Sequence, residues 1–288
     1  MYTWVPFYQE LTAKFLSYTG LELLAILKQL DIEGLTEKDS KGQIIDLTDI
    51  DPYSFLSYLN KYGDQRRILL LGQLKQLLAL EATVPSDVDG LPNAAAQNVR
   101  LFGDLKDRKE GDIEKLRLLY EQVEQDTLTP ALFREVLKIY KTAEAKLSEA
   151  LFYHKPDRYL PINGQTKPWL AKRGLSSSYR TLEGYRSILE SVKALDARPF
   201  YEISEAAYLE NVASRKNMIR YFCVGTMFND TRDEQLGQFI AESKWMNGYG
   251  EEDPDAFDLV KNIPVGSKLA AKVTFNPGNG TFGVGITD

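Results

Sequence analysis

Three aromatic residues near the C-terminal end of the chain could together form a base-binding pocket. Phe228, Trp245 and Tyr249 flank a short amphipathic helix pattern, at the point where an apolar strand pattern meets a glycine-containing loop. Flat aromatic faces can stack on a nucleobase that has left the duplex, and each stack contributes about 1–3 kcal/mol. The sequence therefore predicts a pocket for a flipped base. The alternative is that Trp245 packs between two domains as a core residue.

Polar and basic residues surround these aromatics in the sequence. Amide, hydroxyl and carboxylate groups could form hydrogen bonds to the edge of a stacked base. The candidates for this role are Thr226, Asn229, Asp230 and Asn247. Cations would add sequence-independent, salt-dependent affinity through the phosphate backbone. The candidates for phosphate contacts are Arg215, Lys216, Lys244, Lys268 and Lys272.

The elements that would position these groups are β-type. The apolar run over residues 218–227 predicts a strand, and residues 231–242 predict a short amphipathic helix. A Pro-Val-Gly turn at 264–266 leads into a strand in which lysines alternate with apolar residues. Residues 282–286 predict a last strand, preceded by a glycine-rich hairpin turn. These patterns predict a small β-domain over residues 214–288.

Residues 1–213 are predicted to form a mostly α-helical domain, because apolar residues recur there at three- and four-residue intervals. Asp51 before Pro52, and Thr129 before Pro130, are typical helix starts with a capping residue and a first-turn proline. The predicted helices cover residues 7–30 with a break or bend at Gly20, and 53–62, 65–80, 132–152, 179–195 and 199–212.

Short boxes along the chain resemble the N-terminal recognition region of McrB-like modification-dependent restriction GTPases. The β-region positions that match are Val224-Gly225, Phe239-Ile240, Trp245, Gly248-Tyr249, Val260, Ile263, Gly266 and Lys272. The helical matches are Trp4 with Phe7-Tyr8 and the boxes DIDPYSFLSYLNK from Asp49, VPSDVDGLPN from Val84, GDIEKLRLLYE from Gly111 and ALFYHKPDRYLPIN from Ala150. Two places depart from the family pattern. Ser267 stands where the family usually has an acidic residue. Ile162-Asn163 and Lys167 stand where the family has a Leu-Asp pair and an arginine.

The resemblance implies an α+β protein, with a mostly α-helical N-terminal domain and a small, incomplete PUA/EVE-like β-barrel. It implies a DNA-recognition module that reads a modified base for a restriction or defence system. The chain itself would then be no enzyme and would hold no cofactor or metal. GTP or ATP with Mg²⁺, and a nuclease subunit, would belong to a motor region outside this sequence.

Composition excludes several other classes of protein. The formal net charge is −6 and the pI is near 5.2, so any nucleic-acid contact would depend on a local basic face. No apolar run is long enough to cross a bilayer, and no signal-peptide pattern begins the chain. The single cysteine, Cys223, is typical of a cytoplasmic protein. His154, the one histidine, cannot build a histidine-based metal site, and we expect it to cap a helix end or lie at the surface.

Two other functions fit the same residues. The chain could be a helical protein-interaction or regulatory scaffold whose β-domain does not bind nucleic acid. It could also be a reader of RNA, because an aromatic pocket stacks an RNA base as well as a DNA base. A nucleotide-binding motif in a following region of the same protein would favour the restriction system.

Replacement of Trp245 separates the base-binding hypothesis from a structural role. If Trp245 stacks on the base, Trp245→Ala should abolish the preference for modified over plain DNA and leave weak, salt-sensitive binding. Reversal of the charges at Lys268 and Lys272 should instead weaken binding to both DNAs alike. Binding assays at two salt concentrations test this. A variant that only melts at lower temperature and keeps its selectivity would assign Trp245 to a core.

Overall fold

The structure is a computed structural model that describes residues 1–216, 221–225, 268–272 and 284–287, with side chains through residue 214. The chain divides into two compact units, Met1–Asn211 and Val212–Asp288. The predicted boundary between residues 213 and 214 lies two residues beyond this division, inside the last helix.

Ten α-helices occur in the described residues. They are α1 (Trp4–Lys14), α2 (Gly20–Gln29), α3 (Pro52–Leu59), α4 (Asp64–Leu78), α5 (Asp112–Glu124), α6 (Pro130–Val136), α7 (Glu144–His154), α8 (Thr166–Lys172), α9 (Leu182–Leu195) and α10 (Phe200–Lys216). Short 3-10 helices cover Phe15–Ser17 and Ala96–Asn98. The strands are β1 (Thr36–Lys38), β2 (Ile44–Asp46), β3 (Tyr221–Gly225), β4 (Lys268–Lys272) and β5 (Val284–Thr287).

Side-chain caps start several of these helices. The Thr19 hydroxyl accepts from the backbone N–H of Glu22 while the Glu22 carboxylate accepts from the N–H of Thr19, which forms a capping box for α2. Asp51 caps α3 before Pro52, and the Thr129 hydroxyl caps α6, as the sequence predicted. These caps satisfy backbone donors that the first helical turn leaves without partners.

Aromatic side chains form much of the core of Met1–Asn211. Trp4 is fully buried and packs edge-on against Tyr8, with ring centroids 5.3 Å apart. It also contacts Phe152 on α7, at a centroid distance of 5.9 Å. The indole Nε1–H donates to the backbone oxygen of Asp89 at 2.7 Å. Trp4 therefore ties α1 to α7 and to the loop that contains Asp89.

His154 lies in the centre of the core, so its predicted surface or capping role is wrong. Its imidazole is fully buried and stacks on the ring of Tyr120 at 3.8 Å. Nε2 lies 2.6 Å from the Glu124 carboxylate, and Nδ1 lies 3.3 Å from the Tyr53 hydroxyl. The sequence did not show that α3 and α5 supply a hydrogen-bond partner for each ring nitrogen.

The single helix predicted over residues 132–152 is also wrong, because the chain breaks between α6 and α7. Lys141 adopts a positive φ of 76°, which ends helical geometry for a non-glycine residue. The adjacent Thr142 hydroxyl donates to the carbonyl oxygen of Leu101 and anchors the turn in the core. Helical periodicity persists across such a break, so the apolar pattern alone could not show it.

The predicted PUA/EVE-like barrel is wrong, and the described residues are mostly helical. Within Met1–Asn211 the one sheet described is the antiparallel hairpin of β1 and β2. The other described strands form a three-stranded sheet in the order β3-β4-β5, with β3 and β4 parallel and β5 antiparallel to β4. Period-two patterns indicated strands near residues 218–227, 268–272 and 282–286. They could not show the pairing, and among the described residues these strands pair only as β3-β4-β5, without the closure that a barrel needs.

Within the described part of the chain, no helix combines the length and apolar character needed to cross a bilayer.

Substitution of Gly20 tests how closely α2 approaches its neighbours. A Cβ at this position would collide with the Asp49 carboxylate, with the Arg117 guanidinium and with the backbone oxygen of Ile50. We expect Gly20→Ala to lower the free energy of unfolding by about 1–3 kcal/mol, because the backbone cannot yield easily. Gly164→Ala is the matched control, since a Cβ there meets no atom within 4 Å. Urea denaturation measures both, and equal stability of the two variants would contradict the packing.

Candidate functional site: a polar cleft in the helical unit

A cleft of about 370 Å³ opens within Met1–Asn211. Its walls come from α4, from the loop over residues 88–93, from α7, from the segment over residues 163–165 and from α10. The polar lining residues are Asp64, Arg67, Asp89, Asn93, Glu149, Asn163, Gln165, Ser204, Glu205 and Tyr208. A concave site with a few convergent polar groups is the usual form of a binding site for a small group.

Arg67 supplies the cation in this lining. It extends from α4, and its side chain is only 4% exposed. Nη1 donates to the backbone oxygen of Leu91 at 2.9 Å, and Nη2 donates to the Asp64 carboxylate at 2.7 Å. Nε is buried and has no hydrogen-bond partner among the described residues. A buried donor without a partner costs about 1–3 kcal/mol, and because Nε has no surface open to the cleft, this cost is part of the fold.

Gly90 lets the loop over residues 88–93 approach α10. Its φ of +74° favours glycine, and a Cβ there would collide with the backbone oxygen of Tyr201. The close approach brings the Gly90 N–H to 2.6 Å from the Glu205 carboxylate on α10. This hydrogen bond holds the Glu205 carboxylate at the wall of the cleft.

Asn163 positions the carboxylate of Glu149, the second carboxylate in the cleft wall. Its side-chain oxygen accepts from the backbone N–H groups of Gln165 and Thr166, at 2.9 and 3.2 Å. Its Nδ2 donates to Glu149 Oε1 at 2.7 Å. These bonds use both functional groups of the amide, so they fix the orientation of the Glu149 side chain relative to the segment over residues 163–165.

Both carboxyl groups are harder to ionise than usual. Burial raises the pKa of Glu149 to about 7, although the Asn163 amide and the Lys146 ammonium oppose that shift. Burial also raises the pKa of Glu205, against the hydrogen bond from the Gly90 N–H. Among the described residues neither carboxylate has a cation within ion-pair distance. Perturbed carboxyl groups in a cleft are typical of functional sites.

Lys146 lies one turn before Glu149 on α7 and faces the interior. Its ammonium donates to the backbone oxygens of Arg100 and Lys141, the latter at 3.4 Å. Burial lowers its pKa to about 8, and the charges of Lys141 and Arg100 add to that effect. Lys146 does not line the cleft, so it influences Glu149 only through its charge.

Most of the predicted base-binding site lies outside the described residues. This applies to Thr226, Phe228, Asn229, Asp230, Lys244, Trp245, Asn247 and Tyr249. Arg215 and Lys216 are the last two residues of α10. Lys268 and Lys272 begin and end β4, opposite Tyr221 and Gly225 of β3.

The cleft residues were not predicted as a site from the sequence. The box VPSDVDGLPN contains Val88–Asn93 and the box ending in LPIN contains Asn163, so both boxes supply walls of the cleft. Asp87 and Asp89 before Gly90 were interpreted as turn residues. A signal that could have indicated more is Asn163, the polar residue that directly follows the apolar residues Leu160, Pro161 and Ile162.

The helical unit with its cleft corresponds closely to one known family. A family model described as a domain of unknown function (DUF8425) matches residues 4–210. Because this match covers well over half of the 288 residues, the chain belongs to that family. Every residue that lines the cleft falls inside the match. No curated protein and no solved structure matches the chain significantly.

Glu149→Gln tests the raised pKa of this carboxyl group. The folded pKa of about 7 lies above the ordinary value of 4.5, so protonation stabilises the fold. This contribution is fully present below pH 4.5 and is lost as the pH rises through about 7. Glutamine resembles the neutral carboxyl, so the variant should match the native protein at pH 4.5 and exceed its stability at pH 8 by about 3 kcal/mol. Urea denaturation at both pH values measures the difference, and a constant difference would contradict the shift.

Proposed function

We propose that the helical unit is a protein-interaction module and that the cleft is where it holds its partner. The observation that carries the proposal is the cleft itself, a concave site of about 370 Å³ lined by convergent polar groups that include the carboxylates of Glu149 and Glu205.

The fixed orientation of the side chains that line the cleft also supports binding. Asn163 holds Glu149, Gly90 holds Glu205, and Leu91 with Asp64 holds Arg67. Because these side chains already have fixed orientations, a partner would lose little affinity to the ordering of the site. The proposal corresponds to the helical interaction scaffold that was one of the alternatives from the sequence.

Charge in the cleft favours a protein partner over nucleic acid. Four carboxylates line it, on Asp64, Asp89, Glu149 and Glu205, against the one guanidinium of Arg67 among the described residues. A phosphate backbone would be repelled by this balance, whereas nucleic-acid sites concentrate positive charge.

The McrB-like assignment stays a prediction. The recognition of modified DNA or of RNA depends on Trp245 and its neighbours, which lie outside the described residues. A nuclease subunit and a GTP- or ATP-driven motor would belong to regions outside this sequence. We also propose a cytoplasmic location, because one cysteine in 288 residues is typical of a reducing compartment.

Gly164→Trp tests whether the cleft is the binding site. Gly164 lines the cleft, and a Cβ there meets no atom within 4 Å, so a side chain can be added at this edge of the cleft without a clash at Cβ. Probes are glycine–serine peptides with one central lysine, glutamate, leucine or tyrosine. NMR titration follows the backbone amides of Gly90 and Gly164 in the native protein. In Gly164→Trp, where residue 164 is the new tryptophan, it follows the Gly90 amide. We expect at least one peptide to shift these amides in the native protein and to bind at least tenfold more weakly to the variant.

The matched control is Ser187→Trp, which places the same side chain on the exposed face of α9, away from the cleft. It should bind every peptide as the native protein does. If no peptide shifts the two glycine amides, or if Gly164→Trp and Ser187→Trp bind equally, the cleft is not a peptide site. Duplex and single-stranded oligonucleotides are titrated in parallel, and shifts of the same amides by DNA would contradict a protein partner.

A further inference from the structure

We propose that the outer edge of β2 binds an extended segment of a partner protein, which adds a third, antiparallel strand to the hairpin of β1 and β2. The segment carries a β-branched apolar residue opposite Ile44 and a basic residue opposite Asp46. This edge belongs to the helical unit but not to the cleft, so the inference goes beyond the proposed function and does not depend on it.

The hydrogen bonds of the hairpin fix which backbone groups of β2 face β1. The Leu47 N–H donates to the backbone oxygen of Leu35 at 3.0 Å, and the Asp39 N–H donates to that of Gln43 at 2.9 Å. These two contacts are hydrogen-bonded pairs of an antiparallel ladder. Such pairs alternate along the ladder with pairs whose N–H and C=O groups point outward.

Ile44 and Asp46 occupy the outward-pointing positions of β2. They pair with Lys38 and Thr36 of β1, each one residue inside a hydrogen-bonded pair. Their N–H and C=O groups therefore point away from β1, and within the described residues these four groups have no hydrogen-bond partner. A row of unpaired donors and acceptors at a sheet edge is the template to which an extended main chain binds.

The outer edge of β1 is already covered. The Lys106 N–H donates to the backbone oxygen of Lys38 at 3.3 Å, and the Arg108 guanidinium donates to the Glu37 carboxylate at 3.1 Å. These bonds hold the loop over residues 104–108 against β1. An added strand would therefore lie beside β2.

The exposure of Ile44 indicates an apolar residue on the added strand. Its side chain is 74% exposed, and among the described large apolar side chains only Met1 is more exposed. Native proteins usually guard an edge strand with charged residues or proline, so an isoleucine at this position leaves the edge open to pairing. A β-branched residue directly opposite would cover it, since the Cβ atoms of such a cross-strand pair lie about 4.5–5.5 Å apart.

The carboxylate of Asp46 indicates the charge of the added strand. It is 78% exposed, and its ion pair with Lys28, at 3.7 Å, is exposed on both sides. Because an exposed ion pair contributes little, a second cation can approach the same carboxylate. Ile44 and Asp46 project from one face of the hairpin, so the partner's apolar and basic residues also lie two positions apart. We choose the antiparallel direction because it continues the hairpin and is the commoner pairing.

A short peptide and its N-methylated forms test the inference. The parent is acetyl-Thr-Thr-Lys-Thr-Val-Thr-Thr-amide, in which the lysine would face Asp46 and the valine would face Ile44. It should shift the backbone amides of both residues in an NMR titration of the full chain. N-methylation of the valine removes the N–H that donates to the Ile44 oxygen and should weaken binding at least tenfold. N-methylation of the threonine between lysine and valine is the matched control. That N–H points away from β2, so the affinity should not change.

Ile44→Thr tests the apolar contact from the side of the protein. Threonine keeps the branch at Cβ, and the position is exposed, so the hairpin should remain folded. We expect the variant to bind the parent peptide about tenfold more weakly, because less apolar surface is buried. Leu195→Thr is the control. It removes a 56% exposed apolar side chain at the end of α9, outside the hairpin, and should leave the affinity unchanged.

Several results would overturn the inference. They are the absence of shifts at Ile44 and Asp46, equal affinities of the two N-methylated peptides, and native affinity in Ile44→Thr. Loss of binding in Gly164→Trp would also overturn it, because the peptide would then occupy the cleft. A dimer in sedimentation without peptide, dissociated by Ile44→Thr, would assign the edge to a second copy of this chain instead. The proposed function is followed at the Gly90 amide, so the two proposals fail separately.

Discussion

One buried, uncharged imidazole ties α7 to α3 and α5. Burial lowers the pKa of His154 to about 4, while the hydrogen bond from His154 lowers the pKa of Glu124 to about 2. At neutral pH the ring is therefore neutral, donates from Nε2 to the ionised Glu124 and accepts from Tyr53 at Nδ1. Both folded pKa values lie below the ordinary ones, so these contributions to stability are present at neutral pH. They are lost as the pH falls, first from 6.5 through 4 for His154 and then from 4.5 through 2 for Glu124.

The cleft follows from this arrangement, because α7 carries one of its walls. With His154 fixed in the core, Ser148 on the same helix accepts from the backbone N–H of Ile162 at 2.8 Å. The Tyr185 hydroxyl holds the preceding Leu160 carbonyl at 2.7 Å. These two bonds fix the segment that leads to Asn163, and Asn163 then fixes Glu149. The orientation of a carboxylate in the cleft thus depends on hydrogen bonds made inside the core.

The sequence predicted local structure better than it predicted contacts between distant segments. Asp51 and Thr129 were recognised as caps because a cap and its helix are neighbours in the chain. The burial of His154 was missed, since Glu124 and Tyr53 come from other helices. The barrel was mistaken for a similar reason: an alternating pattern indicates a strand but leaves its partner and direction undetermined. Arg67 and Glu149 were not recognised as one site, because they are far apart in the sequence and meet only through α4 and α7.

Three buried side-chain atoms lack hydrogen-bond partners in the described part of the chain, on Asp51, Arg67 and Arg100. Asp51 Oδ2 belongs to a carboxylate whose other oxygen caps α3, and Arg100 Nη1 lies 3.6 Å from the Glu37 carboxylate. Neither residue lines the cleft, so each unmet atom is a local cost of a buried cap or ion pair. Arg67 lines the cleft, but its Nε has no surface open to a ligand, so its cost is local as well. A cost of about 1–3 kcal/mol is a sizeable part of the stability of a domain. The bonds that the same side chains make to Ser54, Leu91 and Asp104 offset this cost.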